Sequence, residues 1–393
     1  MNTYNRFAVA FDHGKGALLY DQKGNEYLDA LSGIAVTGLG HAHPKISACI
    51  EQQAKKLIHT SNLYHIPNQT QLADELTKLT GLRNAFFTNS GAEANETAIK
   101  LARLFGRKKG IENPQIIVME HAFHGRTLAT LTASGNRKIQ AGFEPLVSGF
   151  IRAPFNDINA LKAIAESQSG SVCAVFFEPI QGEGGIRIPD QDYLNQVRTL
   201  CDEQGWLMAL DEVQTGNGRT GSYFAYQPHG IKPDILTTAK GLGNGFPIGV
   251  CLAGEQVAQT FGPGNHGSTY GGSPLACAVG HQVVETLFEE QLIHNAAKMG
   301  DYMLEGFKSL LEGRDYIRDI RGKGLMLGID LDDNCAELAS LALSQKLLIN
   351  VTAGNTIRLL PPLIYTQSQA DQLIETLSKL IRVFKGDDRT KAR

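Results

Sequence analysis

The 393-residue chain lacks the features that would place it in a specialised class. It has no charge excess: 37 basic residues face 40 acidic ones, for a formal net charge of −3. That balance argues against a nucleic-acid surface and against a polybasic membrane patch. No apolar run approaches the ~20 residues that a spanning helix needs. The opening MNTYNRFAVAFDHGKG has neither a long apolar core nor a small-residue cleavage site. A cytoplasmic location is therefore expected. Cysteine is sparse: Cys49, Cys173, Cys201, Cys251, Cys277 and Cys335 lie far apart, and no CxxC pair occurs. Most sit among apolar neighbours, so buried free thiols are expected. There is no internal repeat, no low-complexity segment and no GxxxxGK[ST] phosphate loop. The HxxH pair His121 and His124 lacks the spacing of a zinc helix. Like His41 and His43, it has no further ligand set, so no metal is expected.

What is present reads as an ordinary globular chain, 42% hydrophobic and 20% charged, with 42 glycines that imply many permissive backbone positions. Its length suggests two domains, or one large domain with an attached lobe. Apolar runs predict strands over Gln115–Glu120, Val172–Phe177, Leu207–Leu210, Ile235–Thr238 and Ile248–Ala253. They are continuous rather than alternating, as in strands covered on both faces. Between them lie amphipathic stretches. Asp190–Gln204 puts Tyr193, Leu194, Val197, Leu200 and Cys201 on one stripe, opened by Pro189 with Asp190 as cap and closed by Gly205. Ala92–Phe105 does the same with Ala98, Ile99, Leu101, Ala102 and Phe105, and Gly106 follows it. This alternation predicts an α/β fold with a mostly parallel central sheet. The flanks differ. GALLYDQKGNEYLDAL reads as a hairpin turning at DQKGN. Beyond about residue 285, two long helical patterns surround short strands in GLMLGIDL, LLINV and TIRLL. A large domain over 59–285 and a smaller α+β domain from both chain ends, 1–58 with 286–393, are expected. The tail KGDDRTKAR is polar, and disorder is expected at its end.

Chemistry-bearing residues cluster at predicted strand ends. In FFTNSGAEANETAIK, a strand runs through Ser90, Gly91 and Ala92 directly into a helix, whose free N–H groups favour an anion. The plainer alternative is a capping box between Ser90 and Glu93. In LMALDEVQTGNGRTG, Asp211 closes a strand at the carboxyl edge of the sheet, where α/β sheets bind ligands. It could balance a buried cation, or be a surface turn residue. In LTTAKGLGNGFPIG, Lys240 ends the next strand before four glycines in nine residues. A partly desolvated lysine there loses its proton readily and becomes a Schiff-base nucleophile, whereas most loop lysines are merely solvated. In HAFHGRT, Phe123 offers a ring and Arg126 a guanidinium suited to a carboxylate. EPIQGEGG and HGSTYGG add glycine-rich turns that are weak signals alone.

Taken together, SGAEANETAIK, HGRT, EPIQGEGG, DEVQTGNGRTG and AKGLGNGFPIG resemble the class III (ω-amino) aminotransferases of the fold-type I pyridoxal-phosphate group. YLDALSGIAVTGLGHAHP, SNLYHIPNQ and HAFHGRT are most similar to the acetylornithine branch of that family. The resemblance spans about Tyr4 to Phe384. It implies pyridoxal 5'-phosphate as cofactor, with Lys240 bonded to it and shuttling protons. Asp211 would pair with the ring nitrogen, Gln214 with the ring hydroxyl, and Phe123 would stack on the ring. Ser90, Gly91 and Ala92 would hold the phosphate, with Val213 in the same cofactor site. Thr269 would reach the phosphate, and Ser268 the substrate, from the neighbouring subunit of a homodimer with shared active sites.

For the substrate, the resemblance implies exchange of an amino group between an ornithine-type donor and 2-oxoglutarate, as in arginine biosynthesis. Arg126 would take one substrate carboxylate and Arg358 the α-carboxylate of glutamate or 2-oxoglutarate. Glu183 would pair with Arg358 while the donor is bound. Structural salt bridges are the alternative for Arg358 and Glu183. Succinylornithine and N-succinyl-diaminopimelate differ from acetylornithine only far from the reacting carbon, so they stay open. Ornithine and 4-aminobutyrate fit the N-terminal segment less well. A cofactor-binding protein without catalysis would be expected to have lost Lys240, Asp211 or the SGA turn, and all three are present. Asn244 stands where many relatives carry glycine, and Asn217 is a second departure; both neighbour the site and could alter loop mobility or rate, but the sequence leaves their role open.

Overall fold

The apolar runs become a seven-stranded sheet in a computed structural model that describes residues 1–168 and 170–387. The end of the polar tail, for which sequence predicts disorder, lies outside the described residues. In chain order the strands of this sheet follow an N-terminal set, β1 (Phe11–Lys15), β2 (Leu18–Asp21) and β3 (Glu26–Asp29). They are β4 (Asn84–Thr88), β5 (Gln115–Met119), β6 (Phe150–Ala153), β7 (Val172–Phe177), β8 (Leu207–Asp211), β9 (Ile235–Thr238) and β10 (Gly249–Ala253). Their order across the sheet is β4-β10-β9-β8-β7-β5-β6. Strands β7, β8 and β9 are buried along their whole length, which is why they read as unbroken apolar runs.

The sheet is parallel except for β10, which runs antiparallel to both β4 and β9. The cause is the connection. Only residues 239–248 join β9 to β10, too few for the helical crossover that parallel pairing demands. Lys240 and its glycines occupy that tight return.

The helix expected from Ala92 runs Gly91–Lys108, so Gly106 lies inside it rather than after it. A Cβ at Gly106 would sit 2.8 Å from the Cys173 side chain, so glycine here is a packing choice and not a stop. The helix expected from Asp190 starts at Tyr193, with Asp192 at its cap, and Pro189 and Asp190 lie before it. Its buried stripe is the expected one, and it ends at Gly205 with φ 65°. The cysteines are free; all are buried except Cys49, which is half-buried.

The hairpin forms β2 and β3, with Asp21 Oδ1 accepting from Lys23 N and Asn25 N across the DQKGN turn. The C-terminal strands are β11 (Ile317–Lys323), β12 (Met326–Leu331), β13 (Leu347–Leu348), β14 (Asn350–Thr352) and β15 (Thr356–Leu359). Four of them make an antiparallel sheet ordered β11-β12-β15-β14. The fifth, β13, pairs in parallel with β3, Leu347 opposite Leu28, so the two chain ends share one sheet. Among the described residues no helix is long and apolar enough to cross a membrane.

Candidate active site

Strand ends, helix starts and the β9–β10 return converge on one cavity of about 380 Å³ at the carboxyl edge of the sheet. Ser90, Gly91 and Ala92 line it from the helix start, Phe123 and Arg126 from the loop after β5. Asp211, Val213 and Gln214 line it from the end of β8, and Lys240 from the end of β9. Four predicted residues lie elsewhere. Ser268 and Thr269 line a neighbouring cavity of about 320 Å³ with His266 and Glu93. Asn89 lines both, and its Nδ2 donates to Ser268 Oγ at 3.3 Å. Glu183 and Arg358 form an ion pair, Nη1 to Oε1 2.5 Å.

The helix start is built for close approach. Ser90 is its cap, with Oγ accepting from Glu93 N at 3.2 Å. The capping box is only half made: the Glu93 carboxylate accepts from Asn89 N at 2.7 Å, one residue before the cap. The amides of Gly91 and Ala92 belong to the first turn, where helical N–H groups have no intrahelical acceptor. A Cβ at Gly91 would come 2.6 Å from Val213 Cγ1, so glycine lets this turn sit against the β8 loop.

Asp211 is buried, and three groups fix its carboxylate. Oδ2 accepts from Asn95 Nδ2 at 2.7 Å and pairs with His124 Nδ1 at 2.8 Å; Oδ1 accepts from Val213 N at 3.0 Å. Where this carboxylate serves as the acceptor, Nδ1 of His124 is the donor. The His124 ring stacks on Phe176 with centroids 4.3 Å apart. Asn95 is itself aligned by Thr237 Oγ1, 2.6 Å from its Oδ1. Neither His124 nor Asn95 was a sequence candidate. In the sequence His124 offers itself only as a metal ligand of an HxxH pair, and Asn95 is one polar residue on a long helix. Its signal is position: it falls one turn after the SGA start, on the side facing the sheet.

Lys240 is half-buried and has φ 43°, an unfavourable backbone for a lysine. Burial pushes its ammonium pKa below the ordinary value, and the Arg358 guanidinium pushes the same way. Glu183, Asp211 and Glu178 oppose them. The neutral amine is thus favoured compared with a solvated lysine. Asn217 holds the preceding residue by donating to Ala239 O at 3.2 Å and to Thr238 Oγ1 at 2.9 Å.

Two arginines differ in commitment. Arg358 is buried, and besides Glu183 it donates to Asn350 Oδ1 at 3.0 Å and Gln214 Oε1 at 3.4 Å. Arg126 is exposed at the cavity mouth, its guanidinium carbon 5.8 Å from the Phe123 ring centroid.

Residues 1–381 match the aminotransferase class-III family, and the chain belongs to it. Acetylornithine aminotransferase of Nitrosomonas europaea is 52% identical over 384 residues, covering 98% of each chain. That of Methanothermobacter thermautotrophicus is 47% identical over 381 residues, 97% of this chain and 96% of the relative. Among solved structures, acetylornithine aminotransferase from Elizabethkingia anophelis superposes with a TM-score of 0.87 at 36% identity, covering 98% and 96%. Ornithine aminotransferase from Toxoplasma gondii, holding pyridoxal phosphate at partial occupancy, superposes with 0.94 at 31% identity, covering 98% and 93%.

Family membership makes pyridoxal 5'-phosphate the cofactor, and the residues fit it. A dianionic phosphate suits a helix start whose Gly91 leaves the backbone bare. A cationic ring nitrogen needs a buried counter-charge, which Asp211 offers. An amine of lowered pKa stands at the same cavity.

Proposed function

We propose that this aminotransferase moves the δ-amino group of N2-acetylornithine to 2-oxoglutarate, giving N-acetylglutamate 5-semialdehyde and glutamate in arginine biosynthesis. The observation that carries this reading is the ion pair of Glu183 with the buried Arg358, together with an Arg126 left exposed at the Lys240 cavity. The donor brings one carboxylate and the acceptor two. With Glu183 neutralising Arg358, Arg126 alone is ready for the donor's carboxylate. With Glu183 displaced, both guanidinium groups serve the dicarboxylate. The near full-length likeness to acetylornithine aminotransferases supports the same choice.

When bound, the cofactor supplies an aldehyde carbon for amines and a protonated ring that draws electrons from the substrate. The chain supplies the rest. Ser90, Gly91 and Ala92 would hold the phosphate, Phe123 and Val213 the ring faces, and Gln214 the ring hydroxyl. Asp211 keeps a fixed negative charge at the cavity floor. Lys240 Nζ would bond the cofactor, and it is the base that moves protons at the amine-bearing carbon. Ser268 and Thr269 would serve the partner's site in a homodimer, a reading supported by their position outside the Lys240 cavity. Domain limits near residues 59 and 285, and a cytoplasmic location, complete the proposal.

Initial rates on acetylornithine, succinylornithine, N-succinyl-diaminopimelate, ornithine and 4-aminobutyrate test it. The highest kcat/KM is expected for acetylornithine. Absence of turnover with acylated ornithines would overturn the assignment.

A further inference from the structure

The mechanism leaves one buried acid of the cavity without a role. Glu178 follows β7, lines the cavity and is 5% exposed. Its two oxygens go to different loops. Oε2 accepts from Phe123 N at 3.0 Å, and Oε1 accepts from Gly182 N at 3.1 Å. The first loop carries the aromatic wall of the cavity. The second carries Glu183, the partner of Arg358, one residue beyond Gly182. Among the described residues no arginine or lysine is salt-bridged to Glu178. A carboxylate taken out of water without an ion-pair partner is costly: burial pushes the Glu178 pKa up, and the Gly182 and Phe123 N–H donors pull it back toward the charged form. What offsets that cost here is the pair of N–H donors, which together need two acceptor oxygens.

We infer that Glu178 is a positioning residue, a clamp whose carboxylate locks the Phe123 loop to the Glu183 loop. Two N–H donors converging on one side chain require two acceptor oxygens. Glutamine has one, and its amide would face the second N–H donor to donor. Aspartate keeps the charge but is one methylene too short to span both amides. The surroundings reinforce the geometry. Gly182 packs so closely on Gln214 that a Cβ there would lie 2.2 Å from its Oε1. Fixing Gly182 therefore also fixes the neighbour of Arg358, through the 3.4 Å contact of Gln214 Oε1 with Nη1. The consequence is coupling: the ring wall and the acid that masks Arg358 hold their places together. This deepens the functional reading and rests on it for the catalytic meaning, but the clamp itself is a property of the chain.

Amide hydrogen exchange on the full chain, without cofactor or substrate, reads the clamp directly. In Glu178→Gln, the amides of Phe123 and Gly182 are expected to lose about tenfold protection, the worth of a hydrogen bond to a charged group. The helix Tyr193–Gln204 should not change. Glu178→Asp is the second variant and should give the same two signals if the glutamine variant does not fold. In a double-mutant cycle with Glu183→Gln, the Glu178→Gln effect on the kcat/KM ratio of 2-oxoglutarate to acetylornithine should vanish. Unchanged exchange, a rise at only one of the two amides, a rise throughout the chain, or a ratio effect that survives without Glu183 would each overturn the clamp. If acetylornithine is not a substrate but both amides lose protection, the clamp stands and the functional assignment falls.

Discussion

Replacing His124 by phenylalanine isolates the support of Asp211. The ring stack on Phe176, now 4.3 Å between centroids, is kept by an aromatic of similar size. What disappears is one of the three hydrogen bonds to the Asp211 carboxylate, the 2.8 Å contact at Oδ2. Hydrogen bonds to charged groups are worth about 1.5–3 kcal/mol, so the rate constant or the folding equilibrium constant should fall by ~10- to 150-fold. Asn95 still donates to the same oxygen and Val213 N to the other, so the carboxylate is loosened and not stripped. Two assays separate the outcomes. Urea unfolding of the cofactor-free chain measures the cost in the fold. The kcat of the half-reaction with acetylornithine, against its KM, measures the cost in chemistry. We expect kcat to fall at nearly constant KM, because Arg126 and the cavity mouth are untouched. Asn95→Leu should behave alike, and the two effects should not add, since both act on Oδ2. Wild-type stability together with wild-type kcat in His124→Phe would refute the idea that this pair holds the counter-charge in place.

Other outcomes follow from the same geometry. Lys240→Ala should lower kcat by about 10²–10⁴-fold and abolish the cofactor's lysine-bound absorbance band, since it removes the base and the attachment point. Arg358→Ala should raise KM for 2-oxoglutarate ~tenfold or more while changing KM for the donor little, measured by separate half-reactions. Glu212 is fully buried, and its carboxyl is pushed up to about 7 by burial, against hydrogen bonds from Thr215, Ala225 and Tyr226. Its folded pKa stands above the unfolded value, so its contribution is full below the ordinary carboxyl range and is lost as pH rises through about 7. In Glu212→Gln, the fall in urea-measured stability between pH 5 and pH 7.5 should be shallower than in the wild type. A slope identical to wild type would argue against the shift.

The centre of the sheet and the cavity floor were legible because their cause is local. A strand buried on both faces must be apolar throughout, so β7, β8 and β9 announce themselves. A polar residue at the end of such a strand stands at the ligand edge, which singles out Asp211 and Lys240. What stayed hidden is defined by contacts distant in sequence. Asn95 and His124 meet Asp211 across separations of 116 and 87 residues. Helix limits failed for a related reason. Gly106 reads as a stop until Cys173 from β7 is packed against it.

Asn244, which sequence left without a role, has one in three dimensions. It ends the short turn that begins at Lys240 and has φ 45°, a conformation that asparagine tolerates better than most residues. Its Oδ1 accepts from Leu39 N at 2.8 Å, and its Nδ2 donates to Gly40 O at 3.2 Å. Glycine would satisfy the backbone but could not reach the N-terminal segment. That segment is itself strained: Ser32, Gly33, Ile34 and Ala35 all have positive φ, between 46° and 66°. A left-handed turn costs non-glycine residues about 1–2 kcal/mol each, so something must hold it. Asp29 Oδ1 accepts from both Leu31 N and Ser32 N at 2.8 Å, and Ser32 Oγ donates to Leu360 O at 2.6 Å. The next residue, Val36, lines the Lys240 cavity. Asn244 thus ties the lysine loop to a strained segment that supplies part of the same wall. Asn244→Gly should lose the two tethers, about 1–3 kcal/mol, while Asn244→Ala should lose the tethers and add backbone strain of about 1 kcal/mol. Urea unfolding should therefore rank wild type above Gly above Ala, and an alanine variant more stable than the glycine variant would show that the left-handed backbone at 244 is not what the asparagine serves.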